Sequence, residues 1–247
     1  MKGISDYHEV VWTEGRIARF WQFYAQNTAA HESYFSKQLG GAILRFVNKY
    51  IRPAPPVLDL GCGPGFLVTE LVKSGLSCVA IDSSPESIAS LRRLAAGEAG
   101  VLEILVGSVD RVPLADGRVG CVFLVEVLEH LSPDLSDRTI AEAARVLRPG
   151  GHVVITVPNE EDLDARKIAC PDCGCVFHRV QHLQSLDAVR LKILLADHRL
   201  EPVLIASLNL GHYADGVPLA RIRRRVAPKR TRKDPHLIAI AVKSTAA

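Results

Sequence analysis

The chain of 247 residues has no long apolar run. Val119 to Val125, the longest nearly charge-free stretch, falls far short of the ~20 residues that span a bilayer. No apolar segment follows the start MKGISDYHEV, so no secretory signal is expected, and the chain reads as a soluble cytoplasmic protein. Six cysteines are too few for a disulfide scaffold at this length. Cys62, Cys78 and Cys121 stand singly in apolar stretches, which predicts buried, reduced thiols. There is no internal repeat, and one basic segment is the sole low-complexity tract. With 48% apolar and 23% charged residues the composition excludes a disordered or fibrous chain, and the length suits one large domain or one with a small appendage.

Two features are distributed unevenly. Ten of the 14 aromatic residues lie in the first 50 positions, from Tyr7 and Trp12 to Phe46 and Tyr50. The net charge of +3 hides a split: residues 221–233 (RIRRRVAPKRTRK) hold 8 basic and no acidic residues, and the remainder carries 22 basic against 27 acidic. The basic segment is suited either to gripping phosphate, in RNA, a lipid headgroup or an anionic membrane surface, or to being a solvated loop. The acidic body and the lack of a recognisable RNA-binding module weigh against RNA.

The first 52 residues read as a helical lid. Ile17, Phe20, Trp21 and Tyr24 fall at helical spacing, as do Phe35, Leu39, Ala42, Ile43, Phe46 and Val47 in a second helix from about Ser33 to Tyr50. The prolines of RPAPP end it. From Val57 the pattern alternates: strand VLDL, helix 66–74, strand SCVAID, helix from Pro85 to about Ala96, strand VLEILVG, strand GCVFLVEVL and a helix from about Asp134 to Leu147. A turn at RPGG, strand HVVITVP, a polar irregular stretch over 159–184, a helix over 185–198, a strand over 201–210 and a last strand HLIAIAV follow. This βαβα order predicts an α/β fold over 53–247, a mostly parallel sheet covered by helices on both faces.

The strongest local signal is Val57-Leu58-Asp59-Leu60-Gly61-Cys62-Gly63-Pro64-Gly65, a strand running into a helix through three glycines. Glycine permits positive φ and close backbone approach, and such a loop leaves N–H groups at a helix N-terminus. Asp82 ends the next strand, where a carboxylate can accept both hydroxyls of a ribose. DLGCGPG resembles motif I of class I S-adenosylmethionine (SAM)-dependent methyltransferases, and AIDSSPESI, GSVDRVPLADG, LVEVLEHL and RVLRPGGHVVITVPN resemble the segments that follow it there. The likeness covers residues 50–160 closely and is nearest the quinone-biosynthesis O-methyltransferases. It implies a Rossmann-like sheet of seven strands with the last antiparallel, and SAM as cofactor. By that resemblance Asp59 orients the loop and the methionine amino group. Gly61, Cys62, Gly63 and Gly65 line the methionine and ribose, Asp82 holds the ribose, and Ser83, Ser108 and Val109 lie beside the adenine. Glu126 lies below the cofactor. Two departures stand out: Ser108 replaces a usual Asp, and Gly120 replaces an Asp at the start of its strand, which implies a looser strand edge.

The insertion at 159–184 contains Cys170, Cys173, Cys175, His178 and His182. C-x2-C-G is a tight turn that aims two thiolates at one ion, and histidines four apart share a helix face. Cys170, Cys173, His178 and His182 would suit tetrahedral structural zinc, with Cys175 able to replace either cysteine. Reduced free cysteines and a redox pair are the alternatives. Glu126, Glu129 and His130 form E-x-x-E-H, which with a later histidine resembles the metal site of terminal-ribose RNA 2′-O-methyltransferases; His182 or His178 would complete it, around Mg²⁺ or Mn²⁺. Without a metal, Glu126 is a cofactor contact, Glu129 a helix-start charge, and His130 a general base or a structural histidine.

These readings converge on methyl transfer from SAM, to oxygen of a small metabolite, sugar or lipid-linked precursor. The aromatic N-terminal helices then both line an acceptor pocket and anchor themselves to the sheet, since the two roles need different faces. Metal-dependent RNA ribose methylation and a non-catalytic SAM-fold partner protein are the other two readings.

Overall fold

The computed structural model of the chain describes residues 7–214 and 234–245; the basic segment 221–233 lies outside them. The elements are β1 (His8–Glu9), α1 (Glu14–Gln26), α2 (Phe35–Val47), β2 (Val57–Leu60), α3 (Phe66–Lys73), β3 (Cys78–Asp82), α4 (Pro85–Leu94), β4 (Val101–Val106) and β5 (Val119–Val125). They continue with α5 (Pro133–Val146), β6 (Leu147–Pro158), β7 (Lys167–Ala169), β8 (Cys175–His178), α6 (Ala188–Asp197), β9 (Leu200–Leu208) and β10 (His236–Lys243). Helix starts follow capping chemistry: the side chains of Thr13, Ser84, Ser132 and Asp187 each accept a backbone N–H of the first turn, and Pro85 and Pro133 occupy N1, where no donor is needed.

Among the described residues the main sheet has seven strands in the order β4-β3-β2-β5-β6-β10-β9, and β10 runs antiparallel to both neighbours, as expected. Alternate side chains of each strand face opposite layers. Leu58, Leu60, Ile81, Val122, Leu124 and Ile155 meet Ile140 of α5 and Leu191 and Leu195 of α6. Val57, Ala80, Cys121, Phe123, Val154 and Ile240 meet Ile43 and Val47 of α2, Leu67 and Leu71 of α3, and Ile88 and Leu91 of α4. Burial on both faces explains the nearly continuous apolar strands. Cys62, Cys78 and Cys121 are free, buried thiols, as their surroundings in the sequence predict. No helix of the described residues is long and apolar enough to cross a membrane.

Three sequence expectations change. Within the segment expected to form a lid, α2 belongs to the core layer, with Ile43 and Val47 fully buried, while α1 buries only Ala25. The RPGG turn is taken into β6, whose register against β5 shifts between Val119 and Cys121. The polar stretch 159–184 contributes β7 and β8 to a small second sheet in the order β1-β8-β7, which joins β1 to the insertion. It was illegible because strands of two to four residues carry no clear periodicity.

The looser edge expected at Gly120 is also not what the structure shows. A Cβ there would lie 2.3 Å from the Ala54 carbonyl oxygen and 2.7 Å from the Arg148 guanidinium, and the Gly120 N–H donates to Pro56 at 2.9 Å. Glycine is needed because the preceding loop crosses directly over the strand. Gly120→Ala should cost about 2–3 kcal/mol in urea-induced unfolding; an unchanged midpoint would show that the Ala54 loop yields freely.

Candidate active site

The glycine loop connects β2 to α3 at the carboxyl edge of the sheet. Its conformation is set largely by protein packing. With φ of +81° at Gly61 and +91° at Gly65, added Cβ atoms would lie 2.7 Å from Val127 and 2.2 Å from Leu91. Gly63 differs, because its open side faces the Tyr34 ring at 3.4 Å. The loop's amides are engaged within the chain, which was not the expectation of a free N–H cradle. Gly61 and Cys62 donate to Ile81, Gly65 to Cys62, and Gly63 to Asp82 Oδ2 at 2.8 Å.

Carboxylates therefore dominate this crevice. Asp82 accepts from Gly63 and, through Oδ1, from Ser84 at 2.8 Å; desolvation still holds its pKa above the ordinary value. Asp59 is 2% exposed and its Oδ2 has no hydrogen-bond partner. Burial, reinforced by the Asp82 charge, raises its pKa to about 8. Two acids at a helix start repel a pyrophosphate and suit a cationic ligand. SAM, with its ammonium, sulfonium and ribose diol, fits this donor set: Asp59 would hold the ammonium, Asp82 the diol, and Gly63 would leave room opposite Tyr34. Ser83 is exposed beside Asp82.

Ser108 and Val109 lie on the loop after β4. The Ser108 hydroxyl donates to Asp110, so only its lone pairs remain to accept from an adenine amino group. Val109 packs on the core. The loop is pinned by α5: Glu142 accepts the Val112 N–H at 2.7 Å, and Arg145 donates to the carbonyls of Leu114 (2.8 Å) and Val112 (2.9 Å).

At the end of β5 the chain turns sharply. Glu126 has φ +53°, uncommon for a non-glycine residue, and accepts from Thr156 Oγ1 at 2.9 Å. Desolvation raises its pKa to about 7. Glu129 is 1% exposed, and burial beside Glu126 pushes it well above the carboxylate range. Neither oxygen of Glu129 has a hydrogen-bond partner, which suits a neutral, protonated carboxyl group. His130 lies edge-on to Trp21 (4.7 Å between centroids) and to His182 (4.7 Å), with Nδ1 3.4 Å from the Gln181 carbonyl. Burial lowers its pKa to about 3, so the imidazole stands neutral.

The insertion completes this cluster. His178 ends a strand instead of sitting on a helix, and Gln181, with φ +62°, turns the chain so that His182 stacks on His178 at 4.5 Å. His178 Nδ1 accepts the His182 N–H at 3.1 Å. Glu161 pairs with His182 Nδ1 and stands 3.6 Å from His178 Nε2, while His182 Nε2 stands 4.0 Å from Glu129. The donor atoms of Glu129, His130 and His182 lie within 4.8 Å of one another, as do those of Glu161, His178 and His182.

The expected zinc quartet is thus divided. Cys170 and Cys173 gather with Cys175, and His178 and His182 turn away to the carboxylates. The physical reason is the hairpin formed by β7 and β8: it puts the cysteines at its turn and His178 at the opposite end of its second strand. Sequence reasoning also missed Tyr34, Glu161 and Gln181. Gln181 is fully buried and bridges Trp21 Nε1 (2.8 Å) to the His130 carbonyl (3.1 Å). Of the three, only the Q of the F-H-x-x-Q-H stretch was visible as part of a pattern.

Because Asp59 has a higher pKa folded than unfolded, its stability contribution is full below about pH 4 and is lost as pH rises toward 8. Melting temperature of the ligand-free protein should fall over that window more steeply than in Asp59→Asn, and saturating SAM should flatten the difference. Parallel slopes would remove the assignment. Asp82→Ala loses two charge-assisted hydrogen bonds and should weaken SAM binding about a hundredfold by calorimetry; unchanged affinity would mean that the ribose lies elsewhere.

Comparison with known proteins agrees with this geometry. A family model described as a methyltransferase domain matches residues 58–155. An uncharacterized methyltransferase of Mycobacterium tuberculosis is 40% identical over 97 residues, 39% of this chain and 37% of that one. The ubiquinone biosynthesis O-methyltransferase of Alkalilimnicola ehrlichii is 30% identical over 161 residues, 62% of this chain and 60% of that one. A solved structure of the Burkholderia thailandensis 1,6-didemethyltoxoflavin-N1-methyltransferase, with S-adenosylhomocysteine bound, shares the fold at a TM-score of 0.66 and 17% identity, covering 96% of this chain and 93% of that one. The chain spans between about a third and three-fifths of the length of the curated relatives it matches. Residues 58–155 thus match a methyltransferase domain, set in the fold that the solved methyltransferase shares.

Proposed function

We propose that the chain transfers the methyl group of SAM to a hydroxyl oxygen of a small metabolite, sugar or lipid-linked precursor. The observation that carries this is the carboxylate–imidazole cluster of Glu126, Glu129, His130 and His182 at the carboxyl end of β5. It stands one residue from Val127, which packs against the glycine loop. Ligands bind at this edge of an α/β sheet. SAM supplies an already activated methyl group; the chain's work is alignment, exclusion of water and removal of the acceptor proton.

A hydroxyl acceptor needs that proton removed, and Glu126, with a pKa near 7, is matched to the task at neutral pH. With Glu129 beside it held protonated by burial, Glu126 is the carboxylate that would accept the acceptor proton. His130, the first expectation for the base, is too weak a base alone but presents a neutral nitrogen beside the pair. Trp21 closes the crevice over His130, in keeping with an aromatic acceptor wall. The relatives that are O-methyltransferases support oxygen as the acceptor atom; the N1-methyltransferase shows that the fold also serves nitrogen.

A second reading is favoured by the pairing of Glu161 with His182 Nδ1. A carboxylate on one ring nitrogen leaves the other to face a metal, and Nε2 is the atom turned toward Glu129. Glu126, Glu129, His130 and His182 would then hold Mg²⁺ or Mn²⁺ and bind a vicinal diol, as a terminal RNA ribose offers. This is the metal-dependent RNA ribose 2′-O-methyltransferase reading.

Incubation with methyl-labelled SAM and fractionated cell extract decides among these. Label in the small-molecule or lipid fraction is the expected result, and label in RNA overturns it in favour of the second reading. Tight SAM binding without label in any fraction points to a non-catalytic partner protein. Glu129→Gln should lower turnover by about 10²–10⁴ while leaving SAM affinity nearly unchanged. Loss of activity in EDTA, restored by Mn²⁺, would replace the proton-acceptor role with a metal.

A further inference from the structure

The cysteine hairpin is remote in function from the carboxylate–imidazole cluster and is built differently. β7 and β8 pair antiparallel as Ala169↔Val176, and the Cys170 N–H donates to the Cys175 carbonyl at 2.8 Å, which extends the ladder by one pair. β1 pairs parallel with β8, with His8 opposite Cys175. Residues opposite one another in a sheet present their side chains to the same face. His8, Cys175 and Cys170 therefore form one row across three strands. The turn between the cysteines brings in the third thiol: Gly174, at φ +74°, lets its N–H return to the Cys170 carbonyl at 3.0 Å. The three sulfur atoms lie within 4.8 Å of one another. A cavity bordered by His8, Glu9, Val11, Arg16, Cys173 and Cys175 opens beside them.

Three thiols gathered on a hairpin tip, with Cys173 exposed, do not serve apolar packing, which is the ordinary role of a free cysteine. A disulfide would use two and strand the third. Tetrahedral zinc uses all three: at a Zn–S distance of about 2.3 Å the sulfur–sulfur edges are about 3.8 Å, a small contraction of the present spacing. We propose that Cys170, Cys173 and Cys175 bind Zn²⁺ as thiolates, that His8 supplies the fourth ligand by rotation of its side chain, and that the ion fastens the N-terminal strand to the insertion. Three thiol protons leave on binding, and no electron is transferred.

The consequence reaches the acceptor side. Four residues beyond His8, Trp12 meets Phe177 of β8 at 6.1 Å and Phe20 of α1 at 5.6 Å. Trp21, one residue along α1, is the ring against His130. Lys167 Nζ pairs with Glu9 Oε1 and with Asp164 Oδ1 at 2.7 Å. The ion would thus hold α1, and its aromatic wall, against the insertion. This positioning role does not depend on the chemistry proposed for the cluster.

The test uses the full chain purified under reducing conditions without chelator. Elemental analysis should find about one zinc per chain. Replacement by Co²⁺ should give the intense near-ultraviolet band of thiolate-to-cobalt charge transfer, which an oxygen–nitrogen site cannot produce. Metal should protect three thiols from Ellman's reagent. Cys173→Ser and Cys175→Ser should lose the band, and His8→Ala should keep it while weakening Zn²⁺ about tenfold or more in competition with a chromophoric chelator. Hydrogen exchange in β1 and α1 should rise in the same variants, with the core strands unchanged. A natively folded chain that neither contains zinc nor gives the charge-transfer band overturns the site, as does a disulfide between two of the three cysteines in freshly isolated protein. Unchanged affinity in His8→Ala overturns the fourth ligand.

Discussion

Buried carboxyl groups gathered at the carboxyl edge of the sheet govern the rest of this molecule. Asp59, Asp82, Glu126 and Glu129 stand at the ends of β2, β3 and β5, and desolvation raises the pKa of each. Desolvated carboxylates are tolerated only with protons, hydrogen-bond donors or cations to meet them. Asp82 has two backbone donors, Glu126 has the Thr156 hydroxyl, and Asp59 and Glu129 have oxygens with none. The folded chain is incomplete here in a way that a cationic methyl donor and an acidic acceptor proton would complete.

The surroundings follow from that edge. The core layers hold the strands in register, so the acids converge at one crevice whichever helices precede them. α5 pins the loop after β4 through Glu142 and Arg145, which fixes one side. α1 and the insertion fix the other. Gln181, buried at the turn before His182, is bonded to both Trp21 and the strand-end turn at His130. One side chain thus ties α1, the insertion and the turn after β5 together, which explains a polar residue at full burial.

The lid and insertion also show how a short sheet does work that helices cannot. β1, β7 and β8 bury little of their own, yet they set which residues share a row. The hairpin separates the three thiols from His178 and His182, so the thiolate ligands and the carboxylate-paired imidazoles end in different places. One expected site becomes two candidate sites of unlike chemistry.

The fold was largely legible because its signals are local. Continuous apolar strands, proline and serine at helix starts, and the glycine loop each act over a few residues, and β2 to β5 fall where the pattern puts them. The placement of Asp59 and Asp82 at the carboxyl edge was legible for the same reason: a strand end and a tight turn fix them from their immediate neighbours. What the tertiary structure alone decided is which distant groups meet. Glu161, His178 and His182 meet Glu129 and His130 because a turn at Gln181 and a two-residue strand at His8 direct the insertion across the crevice. Spacing along the chain carries no record of that direction, since it depends on pairing between segments more than 150 residues apart.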